Sequence, residues 1–190
     1  RWSSSSLFCL LDHPIRELAG KRLGIVGYGD IGRGVAQVAE AFGMQVLVAQ
    51  SLSGASHGQG RLPLDRLLAE ADVVSLHCPL TERTRGLIDA AALARMKSDA
   101  LIINTARGAI VDAPALADAL RRGIVGGAGI DVLETEPPPP DHPLLAPDIP
   151  NLIVTPHIAW ASRESRQRLV DELALNIEAF ARGESRNRVA

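Results

Sequence analysis

The sequence predicts a doubly wound α/β fold of the Rossmann type, a parallel sheet in a three-layer αβα arrangement. Three observations carry that prediction. Strand-like and helix-like runs alternate from Arg22 onward, the strand-like runs are apolar throughout, and a G-x-G-x-x-G spacing joins the first strand to the first helix. Strands apolar on both sides belong to a sheet covered on both faces, and helical crossovers between them make it parallel.

In order, "RLGIV" is followed by a helix over Ile31 to Phe42, and "QVLVA" by one over Leu64 to Glu70. "DVVSL" leads to Ala90 to Met96 and "ALIIN" to Ala115 to Arg121; the last strands are "GGAGIDV" and "NLIVT". A long amphipathic helix over Arg163 to Arg182 closes the series, with Leu169, Val170, Leu173, Leu175, Ile177 and Phe180 as its apolar residues. The pattern divides the chain into a helical lead-in (1–19), a dinucleotide-binding domain (20–158), and a C-terminal helix and tail (159–190). The lead-in, with Trp2, Leu7, Phe8, Leu10 and Leu11, and the last helix are expected to pack on a second domain or subunit outside the sheet. "PPPP" at Pro137 to Pro140 should be a stiff extended loop.

Composition narrows the partners. With 46% apolar and 22% charged residues in 190, the chain can bury one sizeable core. A net charge of -2 without a basic run argues against nucleic acid and anionic membrane, and no apolar run reaches the length of a membrane span. Cys9 and Cys78 lack metal-ligand spacing, so no metal site is expected and both read as buried thiols in a reducing, cytoplasmic setting. "RWSSSSLFCLL" has no signal-peptide pattern, and Arg1 reads as the start of a piece of something longer.

In "GIVGYGDIGRG", Gly27 serves the tight turn, Gly29 lets backbone approach a pyrophosphate, and Gly32 allows close packing of helix on strand. The phosphates would rest on the helix N-terminus, where free N–H groups and the macrodipole favour negative charge. Glycines also cluster at ordinary turns; strand before and helix after are what favour the nucleotide reading. About twenty residues on, where a ribose-binding carboxylate is usual, stands Gln50. Its carbonyl can accept from a ribose hydroxyl, but it does not repel a 2′-phosphate. The expectation is NAD, with NADP not excluded and Arg61 and His57 the nearest candidate cations.

Downstream, "NTARGAIVD" from Asn104, "GIDVLETEPPPP" from Gly129 and "NLIVTPHIAW" from Asn151 appear in order with "SLHCPLTERTRGLI". Together with the glycine turn, they resemble the NAD-binding domain of the D-isomer-specific 2-hydroxyacid dehydrogenases, from about His13 to the last helix. "TPHIAWAS" looks most like the glycerate dehydrogenase (hydroxypyruvate reductase) branch. The resemblance implies that Arg107 binds the substrate's carboxylate and carbonyl oxygen, and that Glu136 and His157 form an acid/base pair. Dinucleotide contacts would fall on Gly27, Gly29, Asp30, Ile31, Gly32, Gln50, Cys78, Pro79, Thr105, Ala106, Asp131, His157 and Ala159.

The chemistry fits those residue types. Reducing a 2-oxo acid needs a hydride from the cofactor and a proton from the protein. A histidine titrates near neutrality, and a carboxylate on its far ring nitrogen fixes its tautomer. An arginine fork can hold a planar carboxylate in a bidentate pair that lysine cannot reproduce. Taken singly, a loop arginine, a Glu before prolines and a His after Pro156 would read as surface or turn residues; their joint appearance after strand ends favours a site. His13, His57, His77 and His142 read as ordinary, and Cys78 as packed rather than nucleophilic.

The resemblance further implies an NAD(P)-dependent oxidoreductase acting on a small 2-oxo or 2-hydroxy acid, hydroxypyruvate/D-glycerate or glyoxylate, and a homodimer. It implies too that the N-terminal substrate domain is absent here, leaving the isolated chain able to bind dinucleotide but inactive. A competing class is a non-catalytic dinucleotide-sensing corepressor, which keeps the same Arg, Glu and His.

Overall fold

The computed structural model describes residues 2–6, 8–9, 11, 15–51 and 60–188, which leaves Leu7, Leu10, His13 and His57 outside the described residues. Its strands are β1 (Arg22–Val26), β2 (Gln45–Val48), β3 (Val73–Leu76), β4 (Leu101–Asn104), β5 (Gly127–Ile130) and β6 (Leu152–Val154). They form one sheet in the order β2-β1-β3-β4-β5-β6, and every pairing is parallel. One further parallel bridge, Ala49 to Leu62, lies outside β2. Counting it as a rudimentary strand gives seven strands in the order 3-2-1-4-5-6-7, the Rossmann order with one strand added, and the switch point lies between β1 and β3.

The helices are α1 (Asp30–Ala41), α2 (Leu64–Glu70), α3 (Ala90–Leu93), α4 (Ala113–Arg121) and α5 (Arg163–Ala181). Local chemistry starts them. Asp89 accepts the Ala92 amide at 2.8 Å ahead of α3, Asp112 accepts the Ala115 amide at 2.9 Å ahead of α4, and Ser162 caps α5. Helix α3 stops short of the expected Met96 because the Arg95 and Met96 amides bond back three residues, to Ala92 and Leu93, and tighten the last turn.

Burial divides by sheet face. On one side Leu23 and Ile25 pack against Ala36 and Ala39 of α1. On the other, Val74, Leu76, Ile102 and Ile130 meet Leu67, Leu68, Leu93, Leu116 and Leu120 of α2, α3 and α4. None of these nine side chains is more than 3% exposed, so this second face is the main core. Helix α1 does not reach β4 and β6, where Leu101 and Ile153 on its side of the sheet remain exposed.

At the start of the chain the structure departs from the expected helical lead-in and buried Cys9. Among the described residues of the lead-in the only helical piece is a 3-10 turn at Trp2–Ser4, and Phe8, Leu11 and Ile15 are exposed. Cys9 is exposed with them, whereas Cys78 is buried. The six apolar residues named for α5 are exposed too, and Ala179 is its buried residue. No helix of the described residues is long and apolar enough to cross a membrane.

Candidate active site

The glycine turn is shaped by close packing. A Cβ added at Gly27 would sit 2.4 Å from the Cys78 amide nitrogen, and one at Gly32 would sit 2.2 Å from the Gly27 carbonyl oxygen. Gly27 also has a φ of 97°, where other residues are strained. Gly29 differs, since a Cβ there meets nothing within 4 Å. Gly29 precedes α1 without any side-chain cap, so the first amides of this twelve-residue helix are left for an external anion. Tight packing below and open space above fit a dinucleotide pyrophosphate. The Asp30 carboxylate is exposed and paired with Arg33.

A cleft of about 680 Å³ opens at the switch point, lined by Gly27, Tyr28, Gly29, Gln50, Cys78 and Pro79 among others. Such crevices beyond the carboxyl ends of the strands are where open α/β sheets bind ligands. A second recess continues past Cys78 and Pro79 to Ile31, Thr105, Ala106 and Arg107. His77 borders both, its Nε2 2.9 Å from the Ser75 hydroxyl, and burial pushes its pKa down, so the ring is neutral at neutral pH. Burial pushes the Cys78 thiol up, which keeps it protonated and poorly nucleophilic.

Arg107 is held by its backbone. Asn104, fully buried at the end of β4, accepts the Ala106 amide at 3.0 Å and donates to the Arg107 carbonyl at 2.9 Å. Gly108 lets the turn press on the next loop, where an added Cβ would sit 2.0 Å from the Leu133 carbonyl carbon. The Arg107 side chain itself is exposed at the rim.

After β5 and β6 a carboxylate pair organises the rest. Asp131, only 5% exposed, accepts the Thr155 hydroxyl and, at 2.9 Å each, the Ile158 and Ala159 amides. Burial works against its charge, but the Thr155 hydroxyl, those two amides and nearby His157 more than offset it and lower its pKa. The His157 amide donates to the Asp131 carbonyl at 2.8 Å, with His157 at a φ of 52°. Glu136 Oε2 lies 2.6 Å from His157 Nδ1, and Oε1 accepts the Leu133 amide at 2.9 Å. The bond to His157 first, then that amide, holds the Glu136 carboxyl below its usual range. The carboxylate is therefore charged at neutral pH, and the His157 Nε2 remains free to exchange a proton.

Asp30 apart, the candidate residues named from sequence gather on the rim beyond the strand ends, in three groups: the glycine turn with Gln50, Cys78 and Pro79; Ile31 with Thr105, Ala106 and Arg107; and Asp131 with Glu136, His157 and Ala159. The sequence reading missed Asn104, Gly108 and Thr155, and it did not place Arg61, which borders the cleft. An amide ending an otherwise apolar strand, "LIIN", was the available signal for Asn104. His142 caps the 3-10 turn Pro143–Leu145, its Nδ1 accepting the Leu144 amide at 3.2 Å, in keeping with its reading as ordinary.

Comparison with known proteins gives a consistent picture. Residues 8–159 match the family model described as D-isomer specific 2-hydroxyacid dehydrogenase, NAD binding domain. The chain is 47% identical over 186 residues to a glycerate dehydrogenase of Methylorubrum extorquens, covering 98% of this chain and 58% of the relative. Among solved structures it resembles the TT0316 protein of Thermus thermophilus at a TM-score of 0.81 and 44% identity, covering 90% of this chain and 54% of that one. It also resembles an acyclic imino acid reductase, Bsp5, in complex with NADPH and D-Arg, at a TM-score of 0.84 and 30% identity, covering 100% of this chain and 59% of that one. The chain therefore spans somewhat over half the length of these proteins.

Proposed function

The chain belongs to the D-isomer-specific 2-hydroxyacid dehydrogenases through their NAD-binding domain, and on that premise we propose that it is the cofactor-binding part of an NAD(P)-dependent reductase of small 2-oxo acids. Hydroxypyruvate/D-glycerate is the substrate pair favoured, with glyoxylate second; the similarity to a glycerate dehydrogenase supports that order. The observation that carries the reading is the Glu136–His157 contact of 2.6 Å, made across 21 residues of sequence on the rim that also holds the glycine cradle.

When bound, the nicotinamide supplies or receives the hydride. The residues of this chain do the rest. Gly27, Gly29 and the α1 N-terminus hold the pyrophosphate, Arg107 presents its fork to the substrate carboxylate and polarises the carbonyl oxygen, and His157 donates a proton to that oxygen from Nε2. Glu136 is a positioning residue; by occupying Nδ1 it keeps the proton there and aims Nε2 outward. Asp131 fixes the backbone that carries His157. A homodimer in the cytoplasm is part of this proposal, and the exposed apolar residues of α1 and α5 support its association.

The test is made on the protein that carries this domain, following reduced-cofactor absorbance with hydroxypyruvate and glyoxylate. Turnover of either is expected, and His157→Asn, which tolerates the positive φ, should lower kcat by about a hundredfold or more while cofactor affinity stays within about threefold. Absence of turnover with both acids, or full activity in the variant, overturns the reading.

A further inference from the structure

The ribose end of the cleft carries a cation that the glycine motif does not explain. The Ala49–Leu62 bridge, with the Leu62 amide on the Val48 carbonyl at 2.9 Å and the Gln50 amide on the Leu62 carbonyl at 2.8 Å, fixes Arg61 beside the end of β2. Ala49 and Leu62 both face the main core. Side chains alternate along a strand, so Gln50 and Arg61 both turn to the opposite face, where Tyr28 stands. The Arg61 guanidinium carbon lies 5.7 Å from the Tyr28 ring centroid, close enough for a cation–π contact that holds the side chain in the cleft. Gln50, Ser51 and Arg61 all line that cleft.

Arg16, Arg22, Arg33, Arg66, Arg121 and Arg122 all pair with carboxylates, whereas no ion pair forms at Arg61 among the described residues. Glu82, on the loop after β3, is the one carboxylate lining the cleft among those residues. A carboxylate in place of Gln50 would repel a phosphate on the ribose 2′-oxygen; a neutral amide beside a guanidinium fork does the reverse.

We propose that Arg61 and Gln50 seat the 2′-phosphate of NADP(H), so that this chain binds NADPH at least as tightly as NADH. This rests on the dinucleotide-binding reading and goes against the slight lean to NAD that Gln50 alone suggested. Arg61 meets the phosphate as a bidentate donor, and the Gln50 side-chain amide donates to the same group.

The experiment is a fluorescence titration of the purified protein with NADPH and NADH, with competition by 2′,5′-ADP and 5′-AMP, which differ only in the 2′-phosphate. Expected are an NADPH Kd no weaker than that for NADH and stronger competition from 2′,5′-ADP. Arg61→Ala should weaken NADPH about tenfold or more and NADH less than about threefold, and Gln50→Asp should weaken NADPH about tenfold or more. Binding of NADH more than about tenfold tighter than NADPH, or an equal effect of Arg61→Ala on both, overturns the 2′-phosphate seat and leaves the dinucleotide reading standing. Failure of both cofactors to bind overturns the two together.

Discussion

His157 Nδ1 lies 2.6 Å from Glu136 Oε2, and the other oxygen of that carboxylate is tied to the Leu133 amide at 2.9 Å. The ring is thus oriented by a group that is itself fixed to the backbone of the loop after β5. The contact adds a second link between the loops after β5 and β6, which Asp131 already joins through Thr155, Ile158 and Ala159.

Glu136→Gln keeps the shape and the acceptor for Leu133 but removes the charge. Turnover should fall about tenfold to a hundredfold with cofactor Kd within about twofold, since the carboxylate acts on the proton and not on the dinucleotide. The folded-state carboxyl titrates below its ordinary value of 4.5, so its contribution to stability is complete above that pH and is lost as pH falls through the lower folded value. Melting temperatures of wild type and variant should therefore differ at neutral pH and converge as pH falls through the lowered folded value. A pH-independent difference, or unchanged kcat, would contradict the orienting role.

Arg107→Lys tests the fork. Asn104 holds the turn through the Arg107 carbonyl and the Ala106 amide, so the backbone should survive the change. The expected result is a fall in kcat/KM of about a hundredfold for the 2-oxo acid with Tm and cofactor Kd almost unchanged. An unaltered kcat/KM would remove Arg107 from the substrate site.

Gly27→Ala and Gly29→Ala should fail in different ways. At Gly27 the new Cβ meets the Cys78 backbone at 2.4 Å with φ at 97°, and about 2–4 kcal/mol of stability should be lost in a denaturant melt. At Gly29 the Cβ enters open space, so stability should stay within about 1 kcal/mol while dinucleotide affinity falls about tenfold. Equal affinity in wild type and Gly29→Ala would mean that the pyrophosphate does not pass there.

Asp131→Asn sets an amide N–H against groups that donate, since Thr155, Ile158 and Ala159 all give protons to this side chain. A stability loss of about 1–3 kcal/mol is expected, with loss of turnover through displacement of the His157 backbone. The native carboxyl titrates below 3.8, so wild type should keep its full advantage above that pH and lose it as pH falls through the native value. Thermal melts of wild type and variant, taken from neutral pH down through that native value, read this directly.

Much of this arrangement was legible in the sequence because it rests on local rules. Apolar runs of strand length, "LIIN" and "VVSL", fall on β4 and β3, and the Leu64–Glu70 helix has the bounds its pattern suggested. Glycine spacing located the cradle because close packing there excludes a Cβ at Gly27 and Gly32. "TARG", "TEPP" and "TPHIAW" were legible as motifs, each just beyond a strand.

Long-range placement was not legible. Whether Glu136 meets His157 depends on β5 and β6 lying side by side, and whether Arg61 meets Tyr28 depends on a single parallel bridge at Ala49 and Leu62. No periodicity encodes those distances. The exposed apolar residues of α5 make the same point from the other side, since amphipathicity shows that a face must be covered but not what covers it. The sequence by itself determined the fold class, the nucleotide turn and the reactive residue types, because each is written in neighbouring residues. Only the tertiary structure decided which of them touch and which cation stands by Gln50, because those contacts follow from strand order and register across the whole sheet.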